Sequence, residues 1–301
     1  MIKKLSLYTF ALLGALILFN SCKKEYESIE TIDKRSIEDY LSKNNITTAV
    51  EDPSGYYYQI ITPGTGAAVA NTDSVYYTYD FKHTNGTSIT KNGDYTIPGT
   101  FLGYTDRFSF LTIPAVRITL GKLKKGGSAR VILPSRMAFG KNGLTALGVE
   151  SNEIIVIDLT LPLFNNQVEV DNFLINKFVT ANSLVVTVDP TRVRYIISAE
   201  GTGKADLKET SKINVKYTGR FLNGTVFDSS TDGVTFDLDD MISGWHKVLP
   251  GKIGTGGKIR LIIPSDRAYG QSARTDQTTG NVSMPANSCL DFDIEIVSIT
   301  N

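Results

Sequence analysis

Four blocks of this chain occur twice, in the same order. Tyr56 to Gly66 (YYYQIITPGTG) matches Val193 to Gly203 (VRYIISAEGTG), and Val75 to Ile89 matches Ile213 to Phe227. Gly121 to Gly140 (GKLKKGGSARVILPSRMAFG) matches Gly251 to Gly270 (GKIGTGGKIRLIIPSDRAYG), and Glu150 to Leu161 matches Pro285 to Ile296. The offset of about 130 to 138 residues is far longer than a solenoid unit. A chain of 301 residues has room for about two ordinary domains. What is duplicated is therefore a whole domain, and each candidate residue can be judged against its counterpart in the other copy.

The blocks read as strands. Leu290, Phe292 and Ile294 alternate with Cys289, Asp291 and Asp293, which gives the run Cys289 to Val297 one buried and one solvated face. Asn223-Gly224 is a hairpin pair that favours positive φ, and Gly256-Gly257 is a second turn signal. Between them Met241, Ile242, Trp245, Val248 and Leu249 recur at helical spacing, which predicts one short helix over Asp240 to Leu249. A short helix against an antiparallel sheet is an α+β architecture. Each copy is preceded by an amphipathic helix. Ile37, Tyr40 and Leu41 mark the first over Ser36 to Lys43, capped by Asp33 or Ser36, and Val170, Phe173, Leu174 and Phe178 mark the second over Val168 to Ala181.

Charge excludes one class of function. Lys plus Arg (31) equals Asp plus Glu (31), and no basic stripe interleaves with aromatics, so nucleic acid is not an expected partner. The N-terminus points to a membrane instead. Lys3 and Lys4 precede an apolar run from Leu5 to Phe19 that ends in Ser21 and Cys22, the layout of an export signal. The run is shorter than the roughly 20 residues a spanning helix needs, so cleavage is favoured over an uncleaved anchor. Cys22 closes the run as the cysteine of a bacterial lipobox does, although Phe19 and Asn20 depart from the commonest form; with Lys23 and Lys24 following, it resembles lipoproteins of the Bacteroidetes group. That resemblance implies lipidation at Cys22 and a polar tether over Lys23 to Ile32. The one other cysteine, Cys289, then has no partner within the chain and reads as a small strand residue.

In the second copy, four spaced motifs carry a family resemblance. NGTVFDSS (Asn223 to Ser230), MISGW (Met241 to Trp245), KIRLIIPSDRAYG (Lys258 to Gly270) and MPANSCLDFDIEI (Met284 to Ile296) resemble an FKBP-type peptidyl-prolyl cis-trans isomerase over roughly Arg192 to Thr300. The resemblance implies a half-wrapped antiparallel sheet around the short helix. It implies a pocket with Trp245 as its floor and Tyr217, Phe227, Met241, Ile242 and Phe292 as walls. Tyr269 falls at the rim, Asp228 on a buried carboxylate, and Met284 on a flap-like loop. Two positions depart from the family pattern: Val234 stands where a further wall Phe is usual, and Gly233 where a basic partner for the Asp often sits. The implied activity is isomerisation of X-Pro bonds in exported polypeptide clients, without cofactor or metal. A non-catalytic peptide-binding or chaperone lipoprotein reusing the fold is the alternative. Read singly, each of these aromatics is more simply core than ligand wall; together they favour the pocket. His246 is expected to be solvated, away from the Trp face of its helix, and His83 sits beside a turn with no partner motif.

The first copy lacks the set. Tyr79 matches Tyr217, but Ile89 stands for Phe227, Thr90 for Asp228, Ala115 for Trp245, Phe139 for Tyr269 and Ile157 for Phe292. Both a spacer and a degenerate domain that binds protein or dimerises remain open for it. The expected organisation is thus a lipoprotein signal peptide (1–21), a tether and short helix (22–54), a degenerate domain (55–164), a linker helix (165–191) and an isomerase domain (192–301), anchored by lipid at the bacterial outer membrane.

Overall fold

The computed structural model describes residues 27–278 and 280–301. The expected signal peptide, Cys22 and the start of the expected tether lie outside the described residues.

In chain order the first half comprises helix α1 (Ile29–Lys43), strands β1 (Val50–Glu51), β2 (Tyr57–Thr62), β3 (Ser74–Tyr76), β4 (Thr78–Lys82), β5 (Ser88–Lys91) and β6 (Gly99–Phe101), helix α2 (Pro114–Leu120), and strands β7 (Gly127–Leu133) and β8 (Ile155–Leu161). The second half comprises α3 (Gln167–Ala181), β9 (Thr187–Val188), β10 (Arg194–Ala199), β11 (Lys212–Phe221), β12 (Val226–Asp237), α4 (Ser243–His246), β13 (Lys258–Ile263), β14 (Arg274–Thr275), β15 (Val282–Met284) and β16 (Leu290–Thr300). Two six-stranded antiparallel sheets result, β5-β4-β8-β7-β2-β1 and β12-β11-β16-β13-β10-β9, beside the two-stranded pairs β3-β6 and β14-β15. Strand for strand these are the same order, so the duplication seen in sequence is also a duplication of topology. The fold is α+β, with antiparallel sheets and few helices.

Each sheet packs a helix against both faces at the end of its central strand. The inner faces curl around α2 and α4, where Val131 and Leu133 of β7, and Leu261 and Ile263 of β13, enter the two main cores. The residues between them point outward. Ile132 meets Ile37 and Tyr40 of α1, and Ile262 meets Val170, Leu174 and Phe178 of α3. Coverage on both sides at this end is why each central strand, alternating at first, closes on an unbroken apolar run, Val131–Leu133 and Leu261–Ile263.

The helix before the second copy lies where expected, at Gln167–Ala181, whereas the helix before the first copy is longer than expected. α1 starts at Ile29, capped by Ser28, whose Oγ accepts the Thr31 N–H at 3.3 Å, so the segment assigned to the tether already enters the helix. Asp33 is no cap. It is buried inside α1, where its Oδ2 accepts the Arg136 N–H at 3.3 Å. Its counterpart Asp171 on α3 accepts both the N–H (2.8 Å) and the Oγ–H (2.7 Å) of Ser265. Each carboxylate pins its helix to the turn that follows the central strand. The helix around Trp245 is shorter than expected. Met241 and Ile242 have extended backbones and α4 covers Ser243–His246, after which Val248 and Leu249 both donate to the Trp245 carbonyl. A single tight turn keeps the apolar spacing of a longer helix. The last strand is Leu290–Thr300, and Cys289 lies just before it, buried against α3 with its thiol pKa pushed well up by burial.

The copies differ most where β11 and β12 run long. In the first copy β11 is matched by two pieces, β3 and β4, and β12 by β5 and β6, with residues 92–98 looping out between β5 and β6. That loop reaches α3. The Tyr95 ring stands edge-on to Phe178 at 5.7 Å, and Lys177 Nζ donates to the Asp94 carbonyl at 2.6 Å.

Candidate functional site

On the inner face of the second sheet an open cleft of about 570 Å³ is lined by Tyr217, Asp228, Phe236, Met241, Ile242, Trp245, Tyr269, Arg274 and Phe292, among others. β11 and β16 present Tyr217 and Phe292, since both side chains fall on the concave face. α4 places Trp245 at the bottom, 3% exposed. Its indole stands edge-on to Phe292 at 5.2 Å and to Tyr217 at 5.6 Å. Gly244 lets the helix settle this deeply, because a Cβ there would lie 2.5 Å from Ile263 Cγ2. Trp245 Nε1 is buried with no hydrogen-bond partner among the described residues.

The rim is polar. Tyr217 donates its hydroxyl to Asp228 Oδ2 at 2.7 Å. Burial, with the Asp228 hydrogen bond and charge added, holds the Tyr217 pKa above the ordinary phenol value. Burial also raises Tyr269, with the Arg274 guanidinium opposing and Asp228 reinforcing. Both phenols therefore remain hydrogen-bond donors at neutral pH. Arg274, on the flap hairpin β14–β15, stacks 3.9 Å over the Tyr269 ring. The arrangement offers an apolar floor and walls for a ring-sized group and hydroxyl donors at the mouth. Among the described residues no cluster of His, Cys, Asp and Glu could hold a metal ion.

Tyr217, Asp228, Met241, Ile242, Trp245, Tyr269 and Phe292 thus come together, and three expected residues stand elsewhere. Phe227 lies behind Phe292, edge-on at 5.6 Å. Met284 lies on the flap, at the end of β15, but its side chain is buried in the core and does not line the cleft. Val234 packs against the core and is replaced as a wall by Phe236, whose ring lies 6.0 Å from Tyr217 and 6.5 Å from Trp245. The additional ring is therefore present, two residues further along. A register shift explains the displacement: Tyr217 pairs with Ser230 but Val215 with Val234, and Gly233 takes φ +93° at the bulge between them. Gly233 is a backbone requirement there, since a Cβ would meet Asn214 Oδ1 at 2.6 Å. Asp228 is exposed, not buried. The histidines also differ from expectation: His83 Nδ1 is 2.5 Å from Glu153 Oε1, and half-buried His246 lies 3.7 Å from Glu209. Phe236 and Arg274 were missed from sequence. The alternation of Val234 and Phe236 on one strand face was the available signal for the first.

The first copy shows how such a cleft is lost. Opposite β8, Phe81 faces Ile157, where the second copy has Gly219 facing Phe292. The aromatic ring has moved to the neighbouring strand. A tight turn, closed by the Phe108 N–H on the Leu111 carbonyl, then inserts two stacked rings. Phe108 packs on Tyr79 (5.1 Å) and Phe81 (4.9 Å), and Phe110 on Phe81 (5.6 Å) and Phe139 (5.9 Å). The space between the counterparts of Tyr217 and Tyr269 is filled by the domain's own side chains.

Comparison with known proteins bears on the second copy. Residues 203–297 match the family described as FKBP-type peptidyl-prolyl cis-trans isomerase. An FKBP-type peptidyl-prolyl cis-trans isomerase, FkpA, of Buchnera aphidicola is 42% identical over 110 residues, 36% of this chain and 42% of that protein. The macrophage infectivity potentiator of Trypanosoma cruzi is 40% identical over 104 residues, 34% of this chain and 50% of that protein. A crystal structure of a peptidyl-prolyl cis-trans isomerase from Pseudomonas syringae aligns with a TM-score of 0.37 at 29% identity, covering 46% of this chain and 99% of that one. The chain spans half or less of the length of both curated relatives.

Proposed function

We propose, for a chain that belongs through residues 203–297 to the FKBP-type peptidyl-prolyl cis-trans isomerase family, that the cleft over Trp245 isomerises X-Pro bonds of exported polypeptides. The observation that carries this is the set of rings converging on one cleft, Tyr217, Phe236, Trp245 and Phe292, with Tyr269 at its mouth.

The chemistry needs no nucleophile. Amide resonance gives the C–N bond partial double-bond character and a rotation barrier of roughly 18–20 kcal/mol. Resonance also places partial negative charge on oxygen and positive charge on nitrogen, which water stabilises better in the planar ground state than in the twisted transition state. Seating the prolyl ring on Trp245, between Phe236 and Phe292, removes that water and with it the preference. A thousandfold acceleration requires only about 4 kcal/mol. The Tyr269 hydroxyl and the Ile242 N–H, which heads α4 and so makes no bond within it, anchor the carbonyls flanking the proline. The flap and Arg274 close over the peptide.

Export and lipidation at Cys22 complete the reading: a lipoprotein held at the outer membrane, its catalytic half facing clients that cross the periplasm. The purified full chain should accelerate cis-to-trans conversion of a short X-Pro peptide, and Trp245→Ala should lower kcat/KM at least tenfold with its sheet signature in circular dichroism retained. A folded wild-type chain without acceleration overturns the proposal. Cys22→Ser should move the protein from the membrane fraction to the soluble one; an unchanged distribution would remove the anchor from it.

A further inference from the structure

A second cleft, of about 550 Å³, lies between the two halves. One wall is the Gly93–Gly99 segment of the first half, the other is the β11–β12 turn with Phe221 and Thr225 together with Val282 of the flap, and Leu174 of α3 lies at its base. The first wall is an insertion. Where β12 passes its partner with the bulge at Gly233, the first copy loops out instead, and Tyr95 on Phe178 and the Lys177–Asp94 bond hold the loop against the second half.

The two clefts share a partition. Phe292 lines the prolyl cleft, Phe227 packs on it at 5.6 Å, and Phe221, which lines the second cleft, packs on Phe227 at 5.2 Å. The flap is shared as well, with Arg274 on one side and Val282 on the other. The Phe292 and Phe221 rings are two such ring contacts apart, 5.6 and 5.2 Å, a span that about three residues of extended chain cover at roughly 3.3 Å per residue. The second cleft is also nearly uncharged. Asp94 is the one ionisable carboxylate or base among its lining residues, beside the amides of Gln167, Asn223 and Asn287. Asn287 Oδ1 is buried without a hydrogen-bond partner among the described residues. Neutral walls rich in amide groups suit an extended, uncharged polypeptide and not a polyanion.

We propose that the cleft between the halves binds the segment of the same client that flanks the proline, so that the first half serves isomerisation by extending the peptide site. This rests on the prolyl cleft acting as proposed above. It assigns the duplicated, plugged domain a role through its inserted loop and not through its lost pocket.

The test compares a proline tetrapeptide with a neutral twelve-residue peptide carrying the same X-Pro bond at its centre, both on the full chain. The long peptide should have a kcat/KM at least tenfold higher. Thr96→Trp, an exposed position on the far wall, should bring the ratio near one while leaving the tetrapeptide rate unchanged. Thr225→Trp, on the near wall, serves as the second variant should the first fail to fold. Equal rates for both peptides in the wild type, or a ratio untouched by both variants, would overturn the proposal. A wild type inactive on both peptides would refute the isomerase reading instead. Fluorescence anisotropy of the labelled long peptide would then still decide the cleft, with binding weakened at least fivefold by Thr96→Trp supporting it and unchanged binding overturning it.

Discussion

Gly219 and Phe292 face each other across β11 and β16, and the Phe292 ring occupies the place of a Gly219 side chain. A Cβ at Gly219 would stand 2.6 Å from Phe292 Cε1 and 2.8 Å from Phe227 Cζ. The glycine is what allows Phe292 to lie flat enough to wall the cleft. In the first copy the same pair is Phe81 and Ile157, and the cleft is closed.

Gly219→Ala should therefore push Phe292 toward Trp245. Overpacking of this kind costs about 1–3 kcal/mol. Isomerase activity should fall at least tenfold, measured on a short X-Pro peptide, with a drop in Tm in thermal melts. Gly219→Phe combined with Phe292→Ile, the first copy's arrangement, should regain much of the stability and none of the activity. Full activity in that double variant would detach catalysis from this wall.

The pH profile follows from the two rim phenols. Burial is the leading cause that raises both Tyr217 and Tyr269, with Asp228 adding to each. A phenol with a raised pKa stays protonated beyond its ordinary value of about 10. Activity attributable to these donors should be flat from about pH 6 to 9, read as kcat/KM. An alkaline loss centred below pH 9 would contradict their role.

Alkaline stability of the N-terminal half should follow its buried tyrosines. Tyr56 and Tyr77, both buried in its core, are pushed by burial up to about 12, as is Tyr57 under α1, with Glu51 adding to it. Such groups stabilise the fold fully below the unfolded value of about 10, and that stability is lost as pH rises through the folded values. Tyrosinate absorbance and circular dichroism followed together should show ionisation of these rings coinciding with unfolding. Ionisation well before unfolding would refute it.

The two helix anchors should differ in strength. Asp171→Ala strands both donors of Ser265, held at 2.8 and 2.7 Å, whereas Asp33→Ala strands one N–H held at 3.3 Å. Leaving a buried donor unpaired costs about 1–3 kcal/mol. Asp171→Ala should reach or exceed the top of that range in denaturant melts and Asp33→Ala should stay near the bottom. The reverse order would mean that the carboxylates act by charge and not by these bonds.

Phe108→Ala with Phe110→Ala should open the plugged cleft of the first copy. Each truncation should cost less than the 3–5 kcal/mol of a fully buried Phe, since both rings are half-buried. X-Pro activity should stay within twofold of wild type. A gain in activity would show that the first copy is occluded and otherwise competent.

The sequence by itself determined the duplication, the fold class, the second copy as the one with the aromatic set, and the loss of that set from the first. Each of these is written in local pattern: block order, strand alternation, and the identities of Trp245, Tyr269 and Phe292 against Ala115, Phe139 and Ile157. Tertiary structure alone decided which rings face the cleft. The bulge at Gly233 adds two residues to β12 and moves the wall position two places along one face, so Phe236 and not Val234 becomes the wall, and Phe227 falls behind Phe292. It also decided the plug by Phe108 and Phe110, the Asp171–Ser265 anchor across 94 residues, and the loop that brings Tyr95 to Phe178. These contacts join segments far apart in the chain, and a side chain carries no local trace of a partner that only the folded sheet brings to it.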